Sequence, residues 1–169
     1  MSLERDGVLS DEELAGLPGM PSKERLNRGP VAVIECAQEI PCNPCEDACP
    51  NGAIQVGEPI TNLPRLIEER CTGCGLCVPA CPGLAIFVVD MSYSEDEAAL
   101  QIPYEFLTMP RKGEMVEGLD REGKVVCSAL VVRALNSKRF DHTAVITIVV
   151  PKDQAMKVRG IRATARSPL

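Results

Sequence analysis

The sequence predicts an α+β chain: a cysteine-rich segment with a pseudo-twofold internal repeat, followed by a small antiparallel β domain. Three observations predict it. Eight of the nine cysteines fall between Cys36 and Cys81, in two similar runs. Each run is bracketed by short apolar stretches of strand character. Beyond Met91 the pattern turns to β-branched runs separated by turn residues. The expected divisions are an N-terminal arm (1–30), the cysteine-rich domain (31–91), the β domain (92–150) and a basic C-terminal tail (151–169).

In the arm, Ser10-Asp-Glu-Glu13 before Leu14 is a capping-box signature for a short helix, which Pro18-Gly19 would end. In the repeat, the first unit runs from the strand Val31–Ile34 through its cysteines to Cys49-Pro50 and then Gly52-Ala53-Ile54. The second runs from Leu66-Ile67 through its cysteines to Cys81-Pro82, Leu84-Ala85-Ile86 and the strand Phe87–Val89. The stretch 57–64, with two prolines, links them. The polar run 92–97 reads as a boundary. After it, Ala99–Ile102 and Tyr104–Leu107 are short apolar runs. Residues 114–119 and 125–135 flank a hairpin turn containing Gly123, and Thr143–Val150 has the composition of a buried strand. The tail carries Lys152, Lys157, Arg159, Arg162 and Arg166 and reads as solvated.

Composition narrows the function. A chain with no Trp and five Phe and Tyr in all has little aromatic material for a large core, so the cysteine-rich segment needs staples of disulfide or metal. The first residues show no basic stretch leading into an apolar one, and no apolar run is long enough to span a bilayer. The expectation is a cytoplasmic chain, in which clustered cysteines bind metal. Charge is unevenly placed. Residues 31–91 hold eight acids and two bases, leaving sixteen of each elsewhere, so the net charge of −6 belongs to that segment. Such an acidic surface repels nucleic acid.

The spacing of the second run, Cys71-x2-Cys74-x2-Cys77-x3-Cys81-Pro82, suits a cuboidal iron–sulfur core. Three thiolates at two-residue gaps surround one corner, and Gly73 and Gly75 let the backbone come close with φ > 0. The first run, Cys36-x5-Cys42-x2-Cys45-x3-Cys49-Pro50, has three extra residues between its first two cysteines and then keeps register. Structural zinc is the competing chemistry. Four cysteines within eleven residues in the second run and fourteen in the first, each run ending in Cys-Pro, fit cubanes better.

Over residues 31–91 the chain resembles the bacterial-type two-[4Fe–4S] ferredoxins. That resemblance implies a crossed arrangement, in which the last cysteine of each run serves the other cluster. Cluster I would take Cys36, Cys42, Cys45 and Cys81; cluster II would take Cys71, Cys74, Cys77 and Cys49. More narrowly, IECAQEIPCNPCEDACPNGAI and CTGCGLCVPACPGLAIFVVD are similar to the small ferredoxin-like subunit of FAD-dependent, multi-subunit amino-acid dehydrogenases of the proline and hydroxyproline type. This implies an electron-transfer subunit of an oxidoreductase complex, with FAD in partner subunits. A freely diffusing ferredoxin is the alternative.

Other residues have duller expectations. Cys127 reads as a small buried hydrophobe and His142 as a loop residue. Tyr93, Tyr104, Phe106 and Phe140 read as the core of the β domain, and Phe87 as packing against a cluster. There is no Gly-x-Gly-x-x-Gly, no P-loop and no nucleophile paired with the lone histidine. No catalytic residue is assigned, and substrate chemistry is expected elsewhere.

Overall fold

A computed structural model of the chain describes residues 2–163. Its helices are single turns: α1 (Ser2–Asp6), α2 (Asp11–Ala15), α3 (Lys23–Leu26), α4 (Pro44–Asp47) and α5 (Cys77–Ala80). The capping box at Ser10 and Glu13 is present, each side chain taking the other's backbone N–H. The arm is bound to the fold. Ile34 N–H donates to Gly19 O (3.1 Å) and Leu66 N–H to Pro18 O (3.0 Å).

The strands are β1 (Val31–Ile34), β2 (Ile54–Gln55), β3 (Arg65–Leu66), β4 (Ile86–Asp90), β5 (Glu97–Tyr104), β6 (Met115–Leu119), β7 (Val125–Leu135), β8 (Ala144–Pro151) and β9 (Gly160–Arg162). Two pairings follow the internal repeat. β1, which enters the first unit, pairs antiparallel with β4, which leaves the second. β2, which leaves the first, pairs with β3, which enters the second.

The polar run 92–97 covers the loop between two hydrogen-bonded strands, β4 and β5, and the first residue of β5. One seven-stranded antiparallel sheet therefore passes from the cysteine-rich segment into the β region, in the order β1-β4-β5-β8-β7-β6-β9. The two short runs expected at 99–107 are one strand that ends at Tyr104. Pro103 sits inside it, opposite Val145. The segment after Pro151 also belongs to the fold as far as it is described. β9 pairs with β6, and Arg159 is buried; Arg166 lies outside the described residues.

At β1 and β4 the sheet is buried on both faces. On one, Leu100, Ile102, Ile146, Ile148 and Val131 form the main core with Val33, Phe87 and Val89. On the other, Ala32, Ile34, Ile86 and Val88 pack toward the cysteines. Phe87 therefore points away from the side expected: strand side chains alternate, and its neighbours Ile86 and Val88 take the cysteine face. Tyr104 is buried, but Tyr93 and Phe106 are largely exposed and lie outside the core that they were expected to form.

Each fully buried Ile or Leu contributes about 1.5–3 kcal/mol. Ile148 sits between Leu100 and Val131 with no exposed surface. Ile148→Ala is expected to cost ~2–5 kcal/mol, whereas Met115→Ala on the exposed face of β6 is expected to cost under about 0.5 kcal/mol. Anaerobic denaturant titrations check the contrast.

Candidate metal centre

The structure gathers the eight cysteines of the two runs into two groups of four. One small cavity is lined by Cys49, Cys71, Cys74 and Cys77. A second is lined by Cys36, Cys42, Cys45 and Cys81. In each group the last cysteine of one run joins the first three of the other. The helices explain this. α4 carries Cys45 and α5 begins at Cys77, so each holds one cysteine in its own cavity. Cys49 and Cys81 follow their helices and cross to the other.

Two rungs of the β1–β4 ladder wall the cavities. Ile34 pairs with Ile86 and both line the second cavity; Ala32 pairs with Val88 and both line the first. The rungs are two residues apart, about 6.8 Å along a strand, so the cavities lie side by side.

The backbone is aimed at sulfur. Ala53 N–H donates to Cys49 Sγ (3.2 Å) and Ala85 N–H to Cys81 Sγ (3.4 Å), the same four-residue turn in each half. Ala32 N–H donates to Cys71 Sγ (3.4 Å). Such bonds favour the thiolate. Burial acts the other way. It pushes the Cys77 thiol up to about 12, helped by the neighbouring Cys71, Cys74 and Cys49. It pushes Cys45 up to about 11, with Cys81 and Cys42 adding to it. Cys36 is also raised, by burial first and then by Cys81 and Cys42. A cation bound beside these sulfurs would favour the thiolate. Among the described residues, no three His, Cys, Asp or Glu side chains converge on a single-ion site; each group of four cysteines lines one cavity.

Neighbouring segments hold the loops. Arg25 of the arm donates to the carbonyls of Glu68 (3.1 Å), Gly29 (3.1 Å), Pro30 (2.9 Å) and Cys71 (2.7 Å). Gln101 of β5 donates to Gly73 O (3.3 Å). A Cβ on Gly73 would lie 2.5 Å from Pro30 Cβ and 2.6 Å from Pro30 O; on Gly75, 2.1 Å from Gln101 Oε1. Both glycines have positive φ. On the other side, Glu35 precedes Cys36 and accepts from Arg121 and Arg159. Burial pushes the Glu35 carboxyl up, but the Arg121 hydrogen bond and the two guanidinium charges outweigh it and hold it below the usual carboxylate value. Burial lowers Arg159, and Glu35 offsets part of that. Sequence reading missed Arg25, Gln101, Glu35, Arg121 and Arg159, which carry no motif.

Cys127 is half-buried against the main core, and His142 lies in a turn with positive φ.

The family model described as "4Fe-4S dicluster domain" matches residues 40–85. The chain carries a 4Fe–4S dicluster domain. The match takes in seven of the eight gathered cysteines and begins after Cys36. The chain is 49% identical over 47 residues to a subunit of an ion-translocating oxidoreductase complex of Methanosarcina acetivorans, covering 28% of this chain and 17% of that protein. It is 43% identical over 54 residues to the polyferredoxin-like subunit of an aliphatic sulfonate oxidoreductase of Pyrococcus furiosus, covering 32% and 28%. It is 45% identical over 53 residues to the electron transport protein HydN of Escherichia coli, covering 28% and 29%. The chain thus spans less than a third of each of these relatives. No solved structure matches it.

The dicluster domain leaves no space above Gly73. Gly73→Ala is expected to drive the Cys71–Cys77 loop off Pro30 and lower the iron content from about eight to about four per chain. Gly75→Ala, which meets only the movable end of Gln101, should retain more iron. Iron and sulfide analysis of the two variants, purified anaerobically, checks the order.

Proposed function

We propose that this chain is an electron-transfer subunit of a flavin-dependent oxidoreductase complex in the cytoplasm. Cys36, Cys42, Cys45 and Cys81 would ligate cluster I, and Cys71, Cys74, Cys77 and Cys49 cluster II. The observation that carries the reading is the crossed grouping of cysteines around two adjacent cavities. Bound there, two [4Fe–4S] clusters supply one-electron transfer in series.

The protein's own residues do the rest. Ala32, Ile34, Ile86 and Val88 exclude water from one side. The N–H groups of Ala32, Ala53 and Ala85 stabilise negative sulfur. Cys74 is exposed beside the half-exposed Leu76, and Ile40 is half-exposed at the other cavity. These offer each cluster a face toward a partner. Four cysteines per cavity leave no open ligand position for substrate, and the resemblance of the two cysteine runs supports an oxidation step on a partner carrying FAD. The amino-acid substrate class rests on the resemblance of the two cysteine runs to proline- and hydroxyproline-type dehydrogenase subunits. Two of the relatives are named as subunits of oxidoreductases, which supports membership of a complex. The acidic excess on residues 31–91 favours the second reading, a diffusing ferredoxin that docks on basic partners.

Anaerobic purification of the native protein, with iron, sulfide and flavin measured on one sample, separates the two. About eight irons per chain together with flavin-bearing partner chains is the expected result. The same iron on a lone monomer would replace the subunit reading with the diffusing one.

A further inference from the structure

We infer that Glu35, Arg121 and Arg159 form a buried charge latch that fixes the Cys36 loop and raises the reduction potential of cluster I; this rests on the cluster reading above. The residues come from distant parts of the chain. Glu35 immediately precedes Cys36, Arg121 sits in the turn between β6 and β7, and Arg159 leads into β9. Arg121 donates to both carboxylate oxygens of Glu35, at 2.9 and 2.5 Å, and Arg159 Nε donates at 2.6 Å. The remaining guanidinium donors go mainly to carbonyls: Met156 for Arg121, and Ala155 and Val158 for Arg159. Arg159 also lies over the Phe87 ring, 4.9 Å from its centroid.

One carboxylate against two guanidiniums leaves a net charge of one positive unit. Its members are shielded from water: the side chains are 7%, 16% and 5% exposed for Glu35, Arg121 and Arg159. Salt and solvent screen such a charge poorly. Its position is the second half of the argument. Glu35, Arg121 and Arg159 line the same groove as Cys36, Cys42 and Cys81. Reducing a cluster adds one electron's negative charge, and a fixed positive charge beside it favours the reduced state. At the loop of the other cavity the β region places a neutral amide, Gln101 on Gly73 O, and the arm places Arg25 on Cys71 O. The latch also anchors the loop carrying the three extra residues between Cys36 and Cys42. These residues position and tune; they do not ligate.

The test is an anaerobic potentiometric titration of the full chain followed by EPR, on the unmodified protein and on Glu35→Gln, Arg121→Gln and Arg121→Lys. The cluster I signal is assigned by its change in Cys36→Ser. Arg121→Gln should lower the cluster I potential and leave cluster II in place. Glu35→Gln, which increases the net positive charge, should raise it. Arg121→Lys should restore most of the original value. The inference is overturned if Arg121→Gln and Glu35→Gln shift the potential in the same direction, if both clusters move together, or if Arg121→Lys falls as far as Arg121→Gln. Should Glu35→Gln fail to fold, the two Arg121 variants decide alone. Failure of the cluster reading itself would show earlier, as iron well below eight per chain in the unmodified protein.

Discussion

Cys49 must reach the cavity of Cys71, Cys74 and Cys77, while Cys81 must reach that of Cys36, Cys42 and Cys45. This exchange shapes the cysteine-rich segment. Neither half can close its own cavity, so the halves are built facing each other. The chain then enters one half where it leaves the other, which gives the antiparallel β1–β4 and β2–β3 pairs. The same exchange puts both cavities against one ladder, with Ile34–Ile86 and Ala32–Val88 as successive walls. Adjacency of the two cavities is thus a consequence of the crossing and needs no further device.

A segment of this size with little apolar surface is weakly stable alone. Here it is one end of a larger sheet. Strand β4 turns its Ile86 and Val88 to the cysteines and its Phe87 and Val89 to the main core, so it serves both cores at once. The β region and the arm also reach the cysteine loops. Gln101 and Arg25 hold the backbone around Cys71 and Gly73, and Arg121 and Arg159 hold Glu35 beside Cys36. Tight packing at these points tells why Gly73 has no room for a side chain.

Much of this was legible in the sequence, because cysteine spacing is a local signal. The repeat, the strands 31–34 and 125–135, the capping box at Ser10 and the eight gathered cysteines can all be read from short windows. What was not legible depends on partners far away in the chain. The run 92–97 is polar enough to read as a boundary; in the structure Ser94 N–H donates to Glu97 O, and Ser94 Oγ accepts from Glu97 N–H, closing a tight turn between paired strands. Arg159 reads as a solvated charge until Glu35, 124 positions earlier, is placed against it. Phe87 reads onto the wrong face because a short apolar strand buried on both sides gives no alternation to count. Phe106 reads as core by its hydrophobicity, although β5 ends two residues before it.

The crossed exchange is tested most directly by a crystal structure of the anaerobically isolated protein with anomalous scattering measured at the iron edge. The account predicts two separate groups of four irons, one bonded to Cys49 with Cys71, Cys74 and Cys77, the other to Cys81 with Cys36, Cys42 and Cys45. Iron bonded to all four cysteines of a single run, or single zinc ions in place of the clusters, would contradict it.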